Sequence, residues 1–188
     1  MGRPPQPEIR EQLLASCTAW ALEHGLPDGL EPLAAASGAS SRMLLYHFGT
    51  RDGLLRAVLE RARAQQVAAW TRLFEPRPGT PYADVLADAW ATMSGPEERP
   101  FLRLFGGQLR QESEQRLWPG FQRLATTDWL EPLADGLRGI GRPDLATLVL
   151  AVLRGLLMDL HATGDAERAD RAFADFLALL PTAEDAAG

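Results

Sequence analysis

The stretch "LAAASGASSRMLLYHFGTRDGL", residues 33–54, decides how this chain is read. Its centre, "SGAS" at 37–40, separates two short runs with helical spacing. Gly38 permits a sharp turn, and Ser40 closes that turn and offers a side-chain oxygen as N-cap to the run that follows. Advancing residues 41–48 by roughly 100° per residue puts Leu44 and Phe48 on one side, facing Leu33, Ala34 and the preceding helix. Ser41, Arg42, Met43, Leu45 and Tyr46 occupy the outer arc. Two large apolar side chains, Met43 and Leu45, therefore stand among polar ones on a surface expected to be exposed. Two short helices meeting at a glycine turn, the second opening on such an arc, have the layout of a helix-turn-helix.

That layout gives each outer residue a chemistry. Arg42 can donate a bidentate pair to guanine, and Met43 or Leu45 can contact thymine methyls. Tyr46, His47 and Arg51 suit phosphate oxygens. Each also has a plainer role. Arg42 can be a solvated arginine, His47 can cap or pack at the helix end, and Met43 and Leu45 can meet another protein. Arg51 and Asp52 can simply begin the next helix, where an acidic residue favours the N-terminus.

Working outward, apolar residues recur at spacings of three and four along the whole chain, while period-two alternation does not recur, so an all-α protein of about nine helices is expected. A first helix over residues 8–24 carries Ile9, Leu13, Cys17, Trp20 and Ala21 on one stripe and is stopped by "HGLPDG". The second covers "LEPLAAAS", started by Asp28 or Gly29, with Pro32 tolerated in its first turn. A fourth, much longer helix begins near Arg51 or Asp52, carries Leu55, Val58, Leu59, Ala62 and Trp70, and breaks at "EPRPGTP". Later helices are expected over residues 82–94, 97–114, 119–138, 143–163 and 166–180, with a frayed "TAEDAAG" tail. The division expected is a head over residues 1–52 and a body over residues 53–188, joined through one rigid helix.

The segment 33–54 also resembles the signature of the TetR family of bacterial transcriptional repressors, whose pattern is close to I-A-x-x-A-G-V-S-x-x-x-L-Y-x-H-F-x-S-K-E-x-L. Aligned without a gap, Ala34, Gly38, Ser40, Leu44, His47, Phe48 and Leu54 are identical, and Thr50, Arg51 and Asp52 are conservative replacements. The resemblance covers about the first third of the chain. It implies a helical homodimer that binds a palindromic double-stranded DNA operator through two heads and releases it when a small-molecule effector enters the body. The contact residues it transfers are Ser41, Arg42, Met43, Leu45, Tyr46, His47 and Arg51. The family's usual tyrosine is Leu45 here, with Tyr46 following it. Ser37 and Ala39 replace an alanine and a valine of the turn. Gly29 stands where a threonine often caps the second helix, leaving Asp28 as the candidate cap.

Charge agrees with a small reading surface. All 19 basic residues are arginine. Up to residue 64, seven arginines meet seven acids, so the net charge of −6 belongs to the remainder, where 12 arginines face 18 acids. An acidic body argues against non-specific phosphate binding and leaves room for a local DNA-reading face.

The body suggests a dimer and a pocket. The run at 143–163 is apolar on nearly all sides, with Ala151, Gly155 and Ala162 as a small-residue stripe that lets a partner helix approach. The last helix carries Ala169, Phe173, Phe176 and Leu180 at heptad-like spacing. The family resemblance makes these two helices the dimer interface; the plainer alternative is that they only close the monomer core. Trp90, Met93, Phe101, Phe105, Trp118, Phe121 and Trp129, with Met158 and His161 behind them, supply unusual aromatic weight. Together they suit an apolar cavity for an aromatic or lipophilic ligand, with His161 or Gln108 as polar anchors; singly, each is ordinary core filler.

Other classes find little support. The three histidines have no metal-ligand spacing, there is no phosphate-cradling glycine loop, and the lone Cys17, expected to be buried, has no base at motif spacing. No cofactor, metal or enzymatic activity is expected. The N-terminus "MGRPPQPEIREQ" lacks an apolar h-region, and the apolar run "LATLVLAVL" ends after nine residues at Arg154. A cytoplasmic protein without a membrane span is therefore expected. The competing reading is a helical dimeric binding or scaffold protein that has lost DNA binding.

Overall fold

Stripes of leucine and alanine at helical spacing become helices whose apolar sides turn inward. The computed structural model describes residues 7–105 and 117–181, and no strand occurs among the described residues. The elements are α1 (Pro7–His24), α2 (Glu31–Ser37), α3 (Ser41–Phe48), α4 (Arg51–Leu73), α5 (Tyr82–Met93), α6 (Arg99–Phe105), α7 (Phe121–Thr127), α8 (Leu130–Arg138), α9 (Ala146–Thr163) and α10 (Ala166–Leu177). Single 3-10 turns at Pro96–Glu98 and Pro143–Leu145 lead into α6 and α9.

Two compact units result. One comprises the described parts of Met1–Gln66 and Pro100–Phe121; the other comprises those of Val67–Arg99 and Gln122–Gly188. In the first, Leu13, Leu14, Cys17 and Ala21 of α1 meet Leu33 and Ala34 of α2, Leu44 of α3, and Leu54, Leu55, Val58, Leu59 and Ala62 of α4 in one buried cluster. Cys17 is a free, fully buried thiol whose pKa burial pushes up, so it behaves as a small apolar filler. Ile9, expected on the inner stripe, is instead exposed.

The second unit is closed by aromatic side chains with satisfied polar ends. Trp70 stacks at a tilt on Trp129, 5.3 Å between centroids, and donates from Nε1 to Glu98 at 2.8 Å. Trp90 stacks on Phe173 at 4.9 Å and donates to Asp170 at 2.7 Å. Such pairing lets an indole be buried without a stranded N–H. The Tyr82 hydroxyl donates to the Phe74 carbonyl at 3.2 Å, and burial raises its pKa well above the ordinary value.

Four helix boundaries differ from the sequence reading. Neither Asp28 nor Gly29 starts α2: its N-cap is Leu30, which makes no side-chain cap bond. The segment expected to run unbroken over 119–138 is two helices, because Pro132 has no N–H to pair with the Asp128 carbonyl and its ring crowds that turn. The helix expected over 97–114 opens as a 3-10 turn and continues as α6 to Phe105; its remainder, with Gln108, lies outside the described residues. The last helix ends at Leu177, short of Leu180, and the tail 182–188 is also outside the described residues.

The helix expected over residues 143–163 runs on through Arg154. Pro143–Thr163 spans 21 residues with mean hydropathy 1.7, long and apolar enough by length and composition to cross a membrane. Arg154 is exposed on this helix, and its Nη1 donates to Thr126 Oγ1 at 2.8 Å.

Candidate nucleic-acid interface

The turn between α2 and α3 has the geometry its glycine predicts. Gly38 is left-handed, with φ 65°, and its N–H caps the carbonyls of Ala34 and Ala35. A residue with a Cβ would be strained there by its backbone alone. Ser40 is extended, with φ −79° and ψ 154°, and its hydroxyl accepts from the Met43 N–H at 3.2 Å. The chain is thus aimed sharply into α3 and the first turn of that helix is satisfied.

Below α3, Leu44 is fully buried and Phe48 packs half-buried against the core, its ring covered by the Arg10 guanidinium at 4.8 Å. Above it, Met43, Leu45 and Tyr46 are 44%, 39% and 51% exposed. Arg42 is exposed and Ser41 half-buried at the N-terminal end of the helix. The apolar and basic side chains of the outer arc therefore stand on one accessible surface while Leu44 anchors the helix from beneath.

His47 and Arg51 sit differently. His47 is half-buried, edge-on to Tyr46 at 5.2 Å, and its Nδ1 is buried without a hydrogen bond among the described residues. Arg51, at the start of α4, donates from Nη2 to the Pro27 carbonyl at 2.8 Å and from Nη1 to Asp52 at 3.3 Å. It ties the α4 terminus to the loop before α2 and keeps about a third of its side chain exposed. Thr50 caps α4 by accepting from Gly53 N–H at 2.9 Å.

The aromatic residues read as a pocket fall into separate groups. Phe105, Trp118 and Phe121 stack together within the first unit, with Phe105 to Phe121 at 5.3 Å and Trp118 to Phe121 at 5.1 Å. Phe101 is half-buried in that unit. Trp90, Met93 and Trp129 are core residues of the second unit, held by Phe173, Trp70 and Phe74. Met158 and His161 are exposed on α9. A surface cleft of about 260 Å³ in the second unit is lined by Thr71, Phe74, Glu75, Pro76, Glu131, Pro132 and Asp135, none of them singled out from the sequence.

The helices read as an interface also divide. Ala151, Gly155 and Ala162 are exposed along α9 beside Leu148 and Met158, which are 50% and 65% exposed. A Cβ on Gly155 would meet nothing within 4 Å among the described residues. Phe173 is buried against Trp90, whereas Phe176 and Leu180 are half-buried and Leu179 is 81% exposed.

Sequence reasoning missed Arg63 and Gln66, which are 7% and 3% exposed and joined by a 2.6 Å bond from Nη1 to Oε1, with the Arg63 cation 6.0 Å from the Phe121 ring centroid. Their signal was present: Gln66 lies four residues from both Ala62 and Trp70 on the buried stripe of α4.

No protein-family model and no curated protein matches the sequence. Solved structures do. A transcriptional regulator from Rhodococcus sp. Rha1 superposes with a TM-score of 0.71 at 22% identity, covering 90% of this chain and 94% of its own. The multidrug binding protein EbrR, complexed with imidazole, gives 0.63 at 22%, covering 93% of each chain. A TetR transcriptional regulator from Streptomyces coelicolor gives 0.59 at 21%, covering 92% and 98%. The fold is therefore that of TetR-type transcriptional regulators.

Proposed function

We propose that this chain is a TetR-family transcriptional regulator, a repressor in the sense that its bound state blocks transcription, and that α3 is its recognition helix. One observation carries the reading: a short helix, capped by Ser40 behind a left-handed glycine, buries Leu44 and presents Arg42, Met43, Leu45 and Tyr46 outward together. The N-terminal end of such a helix approaches base edges in a major groove. Arg42 reads guanine, Met43 and Leu45 cover thymine methyls, and Ser41, Tyr46, His47 and Arg51 hold the flanking backbone. Arg51 does so while bonded to Pro27, which fixes its guanidinium for a phosphate.

Two heads are paired through the exposed apolar side of α9, with Ala151, Gly155 and Ala162 admitting the partner's backbone and Phe176 and Leu180 flanking it. Phe173 supports this surface from inside the monomer. A two-fold dimer places two α3 helices about 34 Å apart and asks for a palindromic operator. The same apolar side explains the hydropathy of α9 without lipid, since Arg154, Asp159 and His161 all lie on that helix. The protein is read as cytoplasmic and as a binder rather than an enzyme. The functional division follows residues 1–52 and 53–188, with a small apolar or aromatic effector acting on the latter.

The test is retardation of the DNA upstream of this chain's own gene at low salt, compared with random duplex of equal length. Preferential retardation supports the regulator. Failure to retard either duplex, with the helical dimer intact, supports the scaffold reading instead. Equal retardation of both contradicts sequence-specific reading.

A further inference from the structure

Most arginines of the head are already committed within the protein. Arg51 is tied to the Pro27 carbonyl and Asp52, Arg61 to Glu11, and Arg63 to Gln66. Arg56 clamps the Leu117 carbonyl, donating from Nε at 2.8 Å. Of the arginines described up to residue 64, Arg10 and Arg42 are left, both exposed and neither hydrogen-bonded nor ion-paired among the described residues. Arg42 stands on the outer arc of α3. Arg10 stands in the first turn of α1 and takes no part in the contacts proposed above.

Arg10 is nonetheless held in place. Its guanidinium lies 4.8 Å from the centroid of the Phe48 ring, within cation–π range. A ring contact leaves the N–H donors available for an anion, and holding the cation beforehand lowers the ordering cost of meeting one. Glu11, the acid beside Arg10 in sequence, is engaged by Arg61 of α4. Phe48 closes α3, half-buried on the core, six residues beyond Arg42. Six residues of helix advance about 9 Å, and the major groove is about 8.5 Å deep. With the N-terminal end of α3 at the bases, its last turn is therefore level with the phosphates at the rim of the groove.

We propose that Arg10 is a phosphate anchor of the reading head: seated on Phe48, it grips a backbone phosphate beside the groove that α3 enters and fixes the register of α3 without reading sequence. The proposal rests on the regulatory reading above and adds to it a contact from α1, outside the helix-turn-helix.

Anisotropy titrations of the full chain against the upstream duplex and a random duplex, over a range of salt, test it. Arg10→Ala is expected to weaken binding to both by about tenfold, to leave their ratio within about twofold, and to flatten the slope of log affinity against log salt by about 0.9 per head. Arg10→Lys keeps the charge and is expected to restore the slope, with affinity within about threefold of the parent. Phe48→Leu removes the ring and should cost about threefold in the parent and nothing further in Arg10→Ala, whereas Phe48→Tyr should bind as the parent does. Arg77→Ala is the control, since it makes the same change in net charge at an arginine already paired with Asp88; less than about twofold is expected. Unchanged affinity and slope in Arg10→Ala overturn the anchor, as does an equal loss in Arg77→Ala. A shifted ratio between the duplexes overturns it too, because Arg10 would then read bases. Additive losses in the Arg10→Ala, Phe48→Leu double variant overturn the seat on Phe48. If the parent binds neither duplex, the regulatory reading fails and the anchor with it; if the parent binds and Arg10→Ala matches it, the anchor alone fails.

Discussion

Ser40 and Arg42 lie two residues apart on the same helix end, and their truncations should have opposite signatures. Ser40→Ala removes the hydroxyl that accepts from Met43 N–H. Loss of a serine N-cap costs about 1 kcal/mol, or about fivefold in the local opening equilibrium. Since α3 has only eight residues, too few to persist alone, that cost falls directly on its opening. The effect on DNA affinity is small, however, because apparent affinity scales with the fraction already formed. A helix open 10% of the time or less loses less than about 1.5-fold in affinity for a fivefold rise in opening. Arg42→Ala acts the other way. Its side chain is exposed, so exchange over α3 should change by less than about twofold, while loss of a bidentate guanine contact costs about 1–3 kcal/mol and weakens specific binding by about fivefold to more than a hundredfold. Amide exchange over residues 41–48 and anisotropy titration of a labelled promoter duplex read the two quantities on the same protein. A greater affinity loss for Ser40→Ala than for Arg42→Ala would refute the placement of α3 as the reading helix.

Three further outcomes follow from other parts of the molecule. A Cβ on Gly136 would overlap the Tyr82 ring, which bonds to the Phe74 carbonyl beneath it. Helix propensity gains under about 1 kcal/mol, whereas overpacking and a broken buried bond cost more. Gly136→Ala should therefore lower Tm by roughly 5–10 °C in a calorimetric scan, and an unchanged or higher Tm would show that Tyr82 is not fixed there. Because burial raises the Tyr82 pKa, the stability it confers is fully present below about pH 10 and is lost as pH rises beyond. The alkaline fall in Tm should accordingly be shallower in Tyr82→Phe than in the parent, and parallel profiles would count against it. Gly155→Glu places a charge on the exposed side of α9 where a Cβ meets nothing. It should convert a dimer to monomer in sedimentation without loss of helical signal, and an unaltered dimer would move the interface elsewhere.

What the sequence could convey depended on the range of the interaction. Leu44 inward and Met43, Leu45 and Tyr46 outward are set by the period of one helix and one capping serine, so the two faces of α3 were legible from eight residues. The break before α8 carried a local signal too, in Pro132, outweighed by the apolar run around it. The aromatic residues were different. Their positions in sequence say that rings are plentiful, but only packing decides that Trp90 takes Phe173 and Asp170 while Phe105, Trp118 and Phe121 stack among themselves. Phe173, at interface spacing, is buried in the monomer for the same reason. The Arg56 clamp left no trace, because its acceptor is a backbone carbonyl and any residue at 117 supplies one. Gln66 is buried by its phase on α4.

The central claim is that paired α3 helices read DNA, and nuclease footprinting of the upstream duplex tests it most directly. The account predicts two protected half-sites related by a palindrome, centred about one helical turn apart, with protection lost in Arg42→Ala. Protection of a single half-site, or protection that does not depend on Arg42, would contradict it.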